Sequence, residues 1–598
     1  MLVPYLKFQL LTGYADGYSA LTRVAEVFLG IVSAGLVSAL VFPRHADDQL
    51  PFTLRARFNS FGEYVSAALS GSVDRKQVEA TNAHFVAEVV GFEFMRSAAA
   101  FENPDARMRR SLLARLNNEF MTLSTRFYAL YQLVGRLRDA GTQTTTIAID
   151  RLQLYILEIA PLLANAGEEI KDPSDVIRVC DQLQAYEAQL QKRLGETRDR
   201  LGTLEGNGWL DFDTGAELLC RFVKDLCAYT ATYASLLSKT HQREHWVERY
   251  EPRTNSISAV VSGLRTVLLT IVLGAFWIET AWPSGLTMTV GVSTVTALIS
   301  SSSDPKRTAF QMAVGALLSS ITGMIVVFGV YPRIDGFPLL CASLAPFLLI
   351  GVLMLINPRL AGCGLGYSIF FCYLAGPDNV IRYDPSSFMN DALALILSML
   401  VTTVAFAVLL PPSSPWLRNR LLIDLRRQMV VATRSGMWRV RSHFESGSRD
   451  LAFQINALAP AEPELSRDAL RWLLLVLEVG NAVIDLRKEV AALPADSRSA
   501  RSILCQASQR AVLDALSVLF GAPRADRLDL AVRATIDAIG NVQELLTHFV
   551  APGPEQRRLK GILSHLHFIR TALLDPQSPL GTFRVGGANA CEERPYVI

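Results

Sequence analysis

Six long apolar stretches occupy residues 256–410, and only short polar segments separate them. They cover residues 256–279, 284–302, 309–331, 337–356, 360–376 and 389–410. Each has about the 17–25 residues that a helix needs to cross a hydrocarbon core about 30 Å thick. A seventh stretch, residues 22–42, stands alone near the start of the chain. This pattern predicts an integral membrane protein.

Two polar blocks follow the two membrane parts. The fold class that we predict is an all-α integral membrane protein with one plus six transmembrane helices and two cytoplasmic helical domains. The predicted units are residues 1–43 (the remainder of a first membrane half, with one clear helix at 22–42), 44–253 (a cytoplasmic helical domain), 254–412 (six transmembrane helices), 413–575 (a second cytoplasmic helical domain) and 576–598 (a disordered tail).

Both polar blocks have helical periodicity. Residues 110–137, for example, place apolar side chains three and four positions apart, with Arg and Asn on the other face. Breaks rich in Gly, Pro and Asn divide the first block into five or six helices. The second block contains amphipathic segments at residues 417–443, 464–493, 500–520 and 528–549.

Several function classes find no support in the sequence. The net charge of the 598 residues is only +2 at pH 7, and no basic patch with interleaved aromatic residues suggests a nucleic-acid partner. There is no Gly-rich phosphate loop, nucleophile elbow or dinucleotide fingerprint. We therefore expect neither an enzyme nor an ATP-driven pump, and no cofactor. The eight cysteines contain no Cys-x-x-Cys pair and are interpreted as small apolar residues.

One short motif resembles a metal site. The segment His241-Gln242-Arg243-Glu244-His245 fits the His-x-x-Glu-His pattern in which two histidines on one helix face bind zinc. The segment is polar, crowded with further charges, and runs directly into the first of the six apolar stretches. A solvated juxtamembrane helix is the favoured interpretation, and no metal site is predicted.

Positive charge in the short loops predicts the orientation, because Lys and Arg favour the cytoplasmic side. Lys306, Arg307 and Arg359 lie in the second and fourth loops, whereas the alternate loops hold only Arg333 and Arg382 among acidic residues. An even number of crossings then places both polar blocks in the cytoplasm.

Ionisable residues in apolar stretches are the first candidates for function, because a central charge costs at least about 2.5–3.5 kcal/mol to insert. Arg265 is the most deeply placed of them. Its guanidinium either extends towards the cytoplasmic surface or forms a fixed positive charge that binds an organic carboxylate. Glu279 and Asp391 lie at the extracytoplasmic ends of their helices, where they either remain in water or handle protons during transport.

Three further residues are candidate substrate contacts. Trp277 and Trp282 flank Glu279 and form either an interfacial aromatic belt or part of a substrate site. Asn390 lies beside Asp391 at the start of the last apolar stretch, and either residue could cap that helix.

The order of several short motifs along the chain is similar to that of a known family, the fusaric acid resistance family of inner-membrane proteins. These motifs are residues 24–44 with Glu26, Gly30 and Phe42-Pro43-Arg44; Leu264-Arg265-Thr266; Trp282-Pro283-Ser284-Gly285; Asp304-Pro305; and Phe388-Met389-Asn390. The resemblance covers most of the chain. It implies export of aromatic carboxylic acids or related toxic compounds, driven by an ion gradient, with a periplasmic membrane-fusion adaptor and an outer-membrane channel as partners.

The family pattern has two six-helix membrane halves, whereas the first half here shows one clear helix. We expect an amino-terminal truncation, a misassigned start or a separately encoded piece. Two other functions therefore stay open: a passive channel for organic anions, and a non-transporting membrane scaffold. A homo-oligomer is a further expectation, because an incomplete bundle leaves surfaces unpaired.

Overall fold

A computed structural model describes residues 13–40, 46–71, 73–102, 109–164, 173–201, 208–237, 256–300, 302, 304–377, 383–409, 415–458, 463–493, 500–547 and 553–584. Helices dominate these residues, and none of them forms a β-strand. The histidine motif at 241–245 and residues 1–12 lie outside the described residues. The predicted all-helical class is confirmed.

The helices of the amino-terminal part agree with the predicted pattern. Residues 22–40 of the isolated apolar stretch lie in α1 (Gly13–Leu40), which exposes Leu21, Phe28 and Leu40. Within the described residues, the first polar block contains six helices: α2 (Ala46–Leu69), α3 (Arg75–Glu102), α4 (Arg110–Ala140), α5 (Gln143–Ala164), α6 (Pro173–Arg200) and α7 (Gly208–Leu237).

All six predicted apolar stretches form helices. They are α8 (Ser256–Thr280), α9 (Gly285–Ile299), α10 (Pro305–Met324), α11 (Phe337–Ile356), α12 (Ala361–Leu374) and α13 (Pro385–Val408). A π-helical segment, Ile325–Val330, and a 3₁₀ turn, Tyr331–Arg333, extend α10. By length and composition, four of these elements can cross a membrane: Ala259–Thr280, Pro305–Arg333, Phe337–Ile356 and Pro385–Val408. The other two, α9 and α12, have 15 and 14 residues and therefore extend only about 21–23 Å.

The second polar block contains α14 (Pro415–Arg434), α15 (Val440–Leu458), α16 (Pro463–Ala491), α17 (Ala500–Gly521), α18 (Ala525–Thr547) and α19 (Pro554–Leu574). Residues 503–521 of α17 are also long and apolar enough to cross a membrane. However, α17 packs against α14 and α18, and its Val512, Leu516 and Phe520 are buried in the core of this block. We therefore assign α17 to the second polar block and not to the membrane part.

Three details of the second block differ from the sequence prediction. The segment predicted over 417–443 ends as a helix at Arg434, because the chain turns before Val440, where Arg439 has a positive φ of 58°. A second helix, α15, then extends to Leu458, beyond the predicted end. No bounds were predicted for α19, although its residues 565–567 were expected to be helical. The tail predicted to be disordered from residue 576 begins as ordered structure, since Pro579–Phe583 forms a 3₁₀ turn whose Leu580 is fully buried. The last residues, 585–598, lie outside the described residues.

The two polar blocks form one body, which we call the soluble body. A single hydrophobic cluster runs from Leu50 to Leu236 in the first block and from Leu421 to Leu580 in the second. Helix α15 packs on α3, and α19 packs on α7. Both blocks therefore lie on the same side of any membrane that the apolar helices cross.

Ion pairs also join the two blocks where they meet, at the contact surface that we call the seam. Asp485 on α16 accepts a hydrogen bond from Arg126 on α4 at 2.8 Å. It also forms ion pairs with Arg221 on α7, at 3.2 Å, and with Arg441 on α15. Burial opposes its ionisation, but Arg126 and Arg441 outweigh burial and hold the pKa of the Asp485 carboxyl well below its usual range. Because two of these arginines come from the first block, the pairs link the blocks electrostatically.

Glycines allow the membrane helices to pack closely. A Cβ atom on Gly315 of α10 would lie 2.4 Å from the carbonyl oxygen of Cys363 on α12, and one on Gly366 would lie 2.7 Å from the Cα of Met312. Only glycine permits such an approach between backbones. As a result α10 and α12 form the most extensive helix pair of the membrane part. Helix α13 packs on α10 and α9, α9 packs on α8, and α11 covers α12.

Candidate functional site

The predicted site residues fall into two groups at opposite ends of the membrane part. Helix α8 carries Arg265 in its first half and Trp277 and Glu279 in its last turn. Fourteen residues separate Arg265 from Glu279, which corresponds to about 21 Å along the helix axis. The structure therefore does not bring Arg265 together with the other candidates.

Arg265 is bound to the end of the last membrane helix. Its Nε and Nη2 atoms donate to the carbonyl oxygen of Leu409 at 3.0 and 2.8 Å, and its guanidinium lies 4.4 Å from the ring centre of Phe406. The residue is only 7% exposed. A cation at the carboxyl end of a helix is favoured by the helix dipole. The charge that was predicted to meet a substrate is therefore engaged by α13.

The opposite end holds a polar and aromatic group formed by three helices, which we call the polar cluster: Trp282, Thr287, Tyr373, Asn390 and Asp391. The indole Nε1 of Trp282 donates to Asn390 Oδ1 at 3.4 Å. The hydroxyl of Thr287 on α9 donates to Asp391 Oδ1 at 3.4 Å and lies 3.1 Å from the Tyr373 hydroxyl on α12. Each of these contacts links α13 or α12 to α9 or to the turn before it.

The helix start explains how α13 presents Asn390 and Asp391. Asp384 caps α13, because its carboxylate accepts from the backbone N–H groups of Ser386 at 3.0 Å and Ser387 at 3.4 Å. The expectation that Asn390 or Asp391 caps the helix is wrong. Both lie in the second turn instead, where their side chains are half-buried and face α9.

A tight turn between α8 and α9 places the two tryptophans. Ala281 adopts a positive φ of 48°, and Ser284 and Gly285 are buried where α9 begins. The Trp277 side chain lies against Gly285 so closely that a Cβ there would be 2.2 Å from its ring. Trp277 thus packs against Gly285 at the start of α9, whereas the indole nitrogen of Trp282 belongs to the polar cluster.

Glu279 stands apart from the polar cluster. Its side chain is exposed and forms no hydrogen bond or ion pair with any residue that the structure describes. Sequence reasoning missed Thr287 and Tyr373. Their signal was weak, since one is a hydroxyl among apolar residues and the other is a tyrosine at the end of an apolar helix. Together the cluster offers a ring surface, an amide, two hydroxyls and a carboxylate, which suit a small aromatic compound with polar substituents.

Comparisons with known proteins extend over nearly the whole chain. A fusaric acid resistance protein of Burkholderia cepacia, FusC, is 53% identical over 346 residues, which are 58% of this chain and 99% of that protein. A second protein of the same species, the fusaric acid resistance protein FusD, is 50% identical over 192 residues, 32% of this chain and 92% of its own length.

A p-hydroxybenzoic acid efflux pump subunit, AaeB of Edwardsiella tarda (strain FL6-60), is 23% identical over 567 residues. These residues are 93% of this chain and 78% of that protein. The family model described as "Fusaric acid resistance protein family" matches residues 18–580. The resemblance inferred from the short motifs is therefore confirmed: this chain belongs to the fusaric acid resistance protein family.

Proposed function

We propose that this chain is the inner-membrane permease subunit of an efflux system that exports aromatic carboxylic acids or related toxic organic compounds, driven by an ion gradient. Two kinds of observation support the proposal. The relatives carry names that refer to fusaric acid resistance and to p-hydroxybenzoic acid efflux. The membrane part carries a polar and aromatic cluster at one end of a glycine-packed helix bundle.

The observation that carries the proposal is the bridge between α9 and α13. Trp282 and Asn390, together with Thr287 and Asp391, hold these helices through side chains that can also bind a substrate. The Trp282 ring would stack on the aromatic ring, Asn390 would donate to its carboxylate, and Asp391 would exchange protons as contacts to Thr287 form and break. Exposed Glu279 is a second proton-handling candidate at the same end.

Arg265 receives a different role in this proposal. Its guanidinium holds the Leu409 carbonyl, so a substrate could reach it only after α13 has moved. We therefore assign Arg265 to the positioning of α13 and the first contacts with the substrate to the polar cluster.

The orientation and the partners are also proposals. The positive loop residues favour a cytoplasmic location for the soluble body, which places the polar cluster on the periplasmic side. A periplasmic adaptor of the membrane-fusion type would then meet the protein near the substrate exit, and an outer-membrane channel would complete the route. Homo-oligomers are compatible with the exposed apolar surface of α11.

Export can be tested in a strain that lacks the gene. The wild-type gene should restore growth on p-hydroxybenzoate and fusaric acid, whereas Asn390→Ala and Asp391→Asn should restore it poorly. Asp335→Asn is the matched control, because Asp335 is an exposed carboxylate in the loop before α11 and lies outside the polar cluster. Equal resistance in all variants would remove the cluster from the transport route.

The energy source is tested in proteoliposomes. Accumulation of p-hydroxybenzoate against its gradient, only when a proton gradient is imposed, would support coupled export. Flux that follows the substrate gradient alone would identify a passive channel, and no flux at all in well-folded protein would favour a scaffold.

A further inference from the structure

A cavity of about 200 Å³ lies in the soluble body where α6, α7 and α19 meet. It spans the seam, since α6 and α7 belong to the first block and α19 to the second. Its lining includes an apolar wall formed by Leu194, Phe212 and Ala216. Its polar lining includes three basic residues: Arg198, Arg557 and Lys560.

The positive charge of this lining is only partly balanced. Arg198 donates from Nε to Asp213 at 2.6 Å, and the other acidic residue of the lining, Glu217, is held by Arg221. Lys560 is half-buried and Arg557 is exposed, and neither forms an ion pair with any part of the chain that the structure describes. Two cations therefore border the cavity without a bound carboxylate.

Local stability does not explain these cations. Arg557 ends the first turn of α19, where the helix dipole disfavours positive charge, and Lys560 follows one turn later. Burial lowers the pKa of Lys560, and the nearby Arg198 lowers it further against the pull of Asp213 and Asp199. A bound anion would relieve this repulsion, so the arrangement suits an anionic ligand better than an empty site.

We propose that this cavity binds a small aromatic carboxylate from the cytoplasm, with the ring against Phe212 and Leu194 and the carboxylate between Lys560 and Arg557. The class of ligand rests on the proposed function, because an exporter of aromatic acids meets them first on this side. Binding would join α19 to α6 and α7 and so tighten the seam between the two blocks. The cavity is thus a sensing site for the compound to be exported.

The test uses the full-length protein in nanodiscs and isothermal titration with p-hydroxybenzoate. An Asn390→Ala background weakens binding at the polar cluster in the membrane part, and every variant is compared with this background. Lys560→Met should weaken binding by about tenfold or more, because one charge-assisted contact is lost. Arg558→Met is the matched control: Arg558 is the neighbour of Arg557 on the same helix but does not line the cavity, so its binding should equal that of the background protein.

The methyl ester of p-hydroxybenzoate provides a second probe with the same ring and no charge. It should bind at least about tenfold more weakly than the acid. Unchanged acid affinity in Lys560→Met, or equal affinity for acid and ester, would overturn the proposal. Should Lys560→Met melt earlier than the control, Lys560→Gln replaces it, and unchanged binding there has the same meaning.

Transport separates this proposal from the proposed function. Wild-type protein that binds the acid at the cavity but moves none across proteoliposomes would contradict efflux and leave the cavity assignment standing. Lys560→Met protein that transports normally at saturating acid but needs more acid to reach half its maximal rate would support a sensing role.

Discussion

The Arg265 guanidinium holds the carbonyl oxygen of Leu409 through two hydrogen bonds of 3.0 and 2.8 Å. Arg265 lies in α8, the first of the six consecutive apolar helices, which follows the first polar block. Leu409 ends the last of them, shortly before the second block. This contact therefore holds the two ends of the membrane part together.

We expect Arg265→Lys to destabilise the protein although the charge is kept. A lysine cannot donate from two fixed positions or stack its planar group on Phe406. The loss should be about 1–3 kcal/mol, the range for a buried acceptor that loses a partner. Thermal unfolding in detergent measures it. Arg307→Lys, at an exposed position of α10, is the control, and equal melting of both variants would contradict the positioning role.

His565 should make the soluble body sensitive to acid. Burial, with Arg221 opposing protonation further, lowers the pKa of His565 to about 3. Unfolded histidine binds a proton near pH 6.5, so the unfolded state gains stability as pH falls from about 6.5 towards 3. Between pH 7.5 and 5.0 the free energy of unfolding should decrease by about 2 kcal/mol through this residue.

Replacing the histidine tests this dependence. His565→Gln should show a smaller change in melting temperature between pH 7.5 and 5.0 than wild type, whatever its stability at neutral pH. His84→Gln is the control, because His84 is exposed on α3. An identical pH dependence in His565→Gln and wild type would show that His565 binds protons equally in the folded and unfolded states, and so would contradict a lowered pKa in the folded protein.

Asp485→Asn should loosen the seam between the two blocks. The change leaves Arg126, Arg221 and Arg441 without their shared carboxylate, and removal of one buried partner costs about 3–5 kcal/mol. Because the folded pKa of Asp485 is depressed, its contribution is complete above the unfolded value near 3.9 and disappears only below it. The loss should therefore be constant from pH 6 to 8.

Limited proteolysis and thermal melts of the full-length protein measure this loosening. Asp175→Asn supplies the comparison, since Asp175 pairs with Arg178 at the surface, where such pairs contribute about 0–1 kcal/mol. Unaltered protease resistance in Asp485→Asn would mean that the shared apolar core alone holds the blocks together.

The glycine contact between α10 and α12 should tolerate no side chain. Gly315→Ala would place a Cβ 2.4 Å from the Cys363 carbonyl oxygen, and such overpacking costs about 1–3 kcal/mol. Gly274→Ala on α8 is the matched control, because nothing lies within 4 Å of its added Cβ. Melting temperatures in detergent should fall for the first variant only, and an equal response would exclude close packing as the reason for Gly315.

The sequence alone predicted the helices of the membrane part well. Hydrophobic runs are set by the thickness of a bilayer, so the predicted stretch at 337–356 is the observed helix and most other boundaries agree within a few residues. The starts of the third and the last stretch were each wrong by four residues, because the caps, Asp304 and Asp384, lie in polar sequence that hydropathy does not include. The consequence was functional, since Asn390 and Asp391 belong to the helix interior.

The sequence could not show which residues far apart along the chain come into contact in the fold. The two blocks were predicted as separate domains, because their union depends on contacts such as Arg126 with Asp485, which are 359 positions apart. The same limitation applies to the site: Arg265 was correctly singled out as a costly charge, but only coordinates reveal that Leu409 is its partner. Local patterns predict elements, whereas side-chain partners across long separations require the fold.

The shared core also has a consequence for synthesis. During translation the ribosome releases α2 to α7 first, then α8 to α13, and α14 to α19 last. Until the second block has left the ribosomal exit tunnel, the first block keeps exposed the apolar surface that α15 and α19 will cover. The first block therefore needs protection from aggregation during this time. The six apolar helices must therefore leave the ribosome before the two polar blocks can form their shared core.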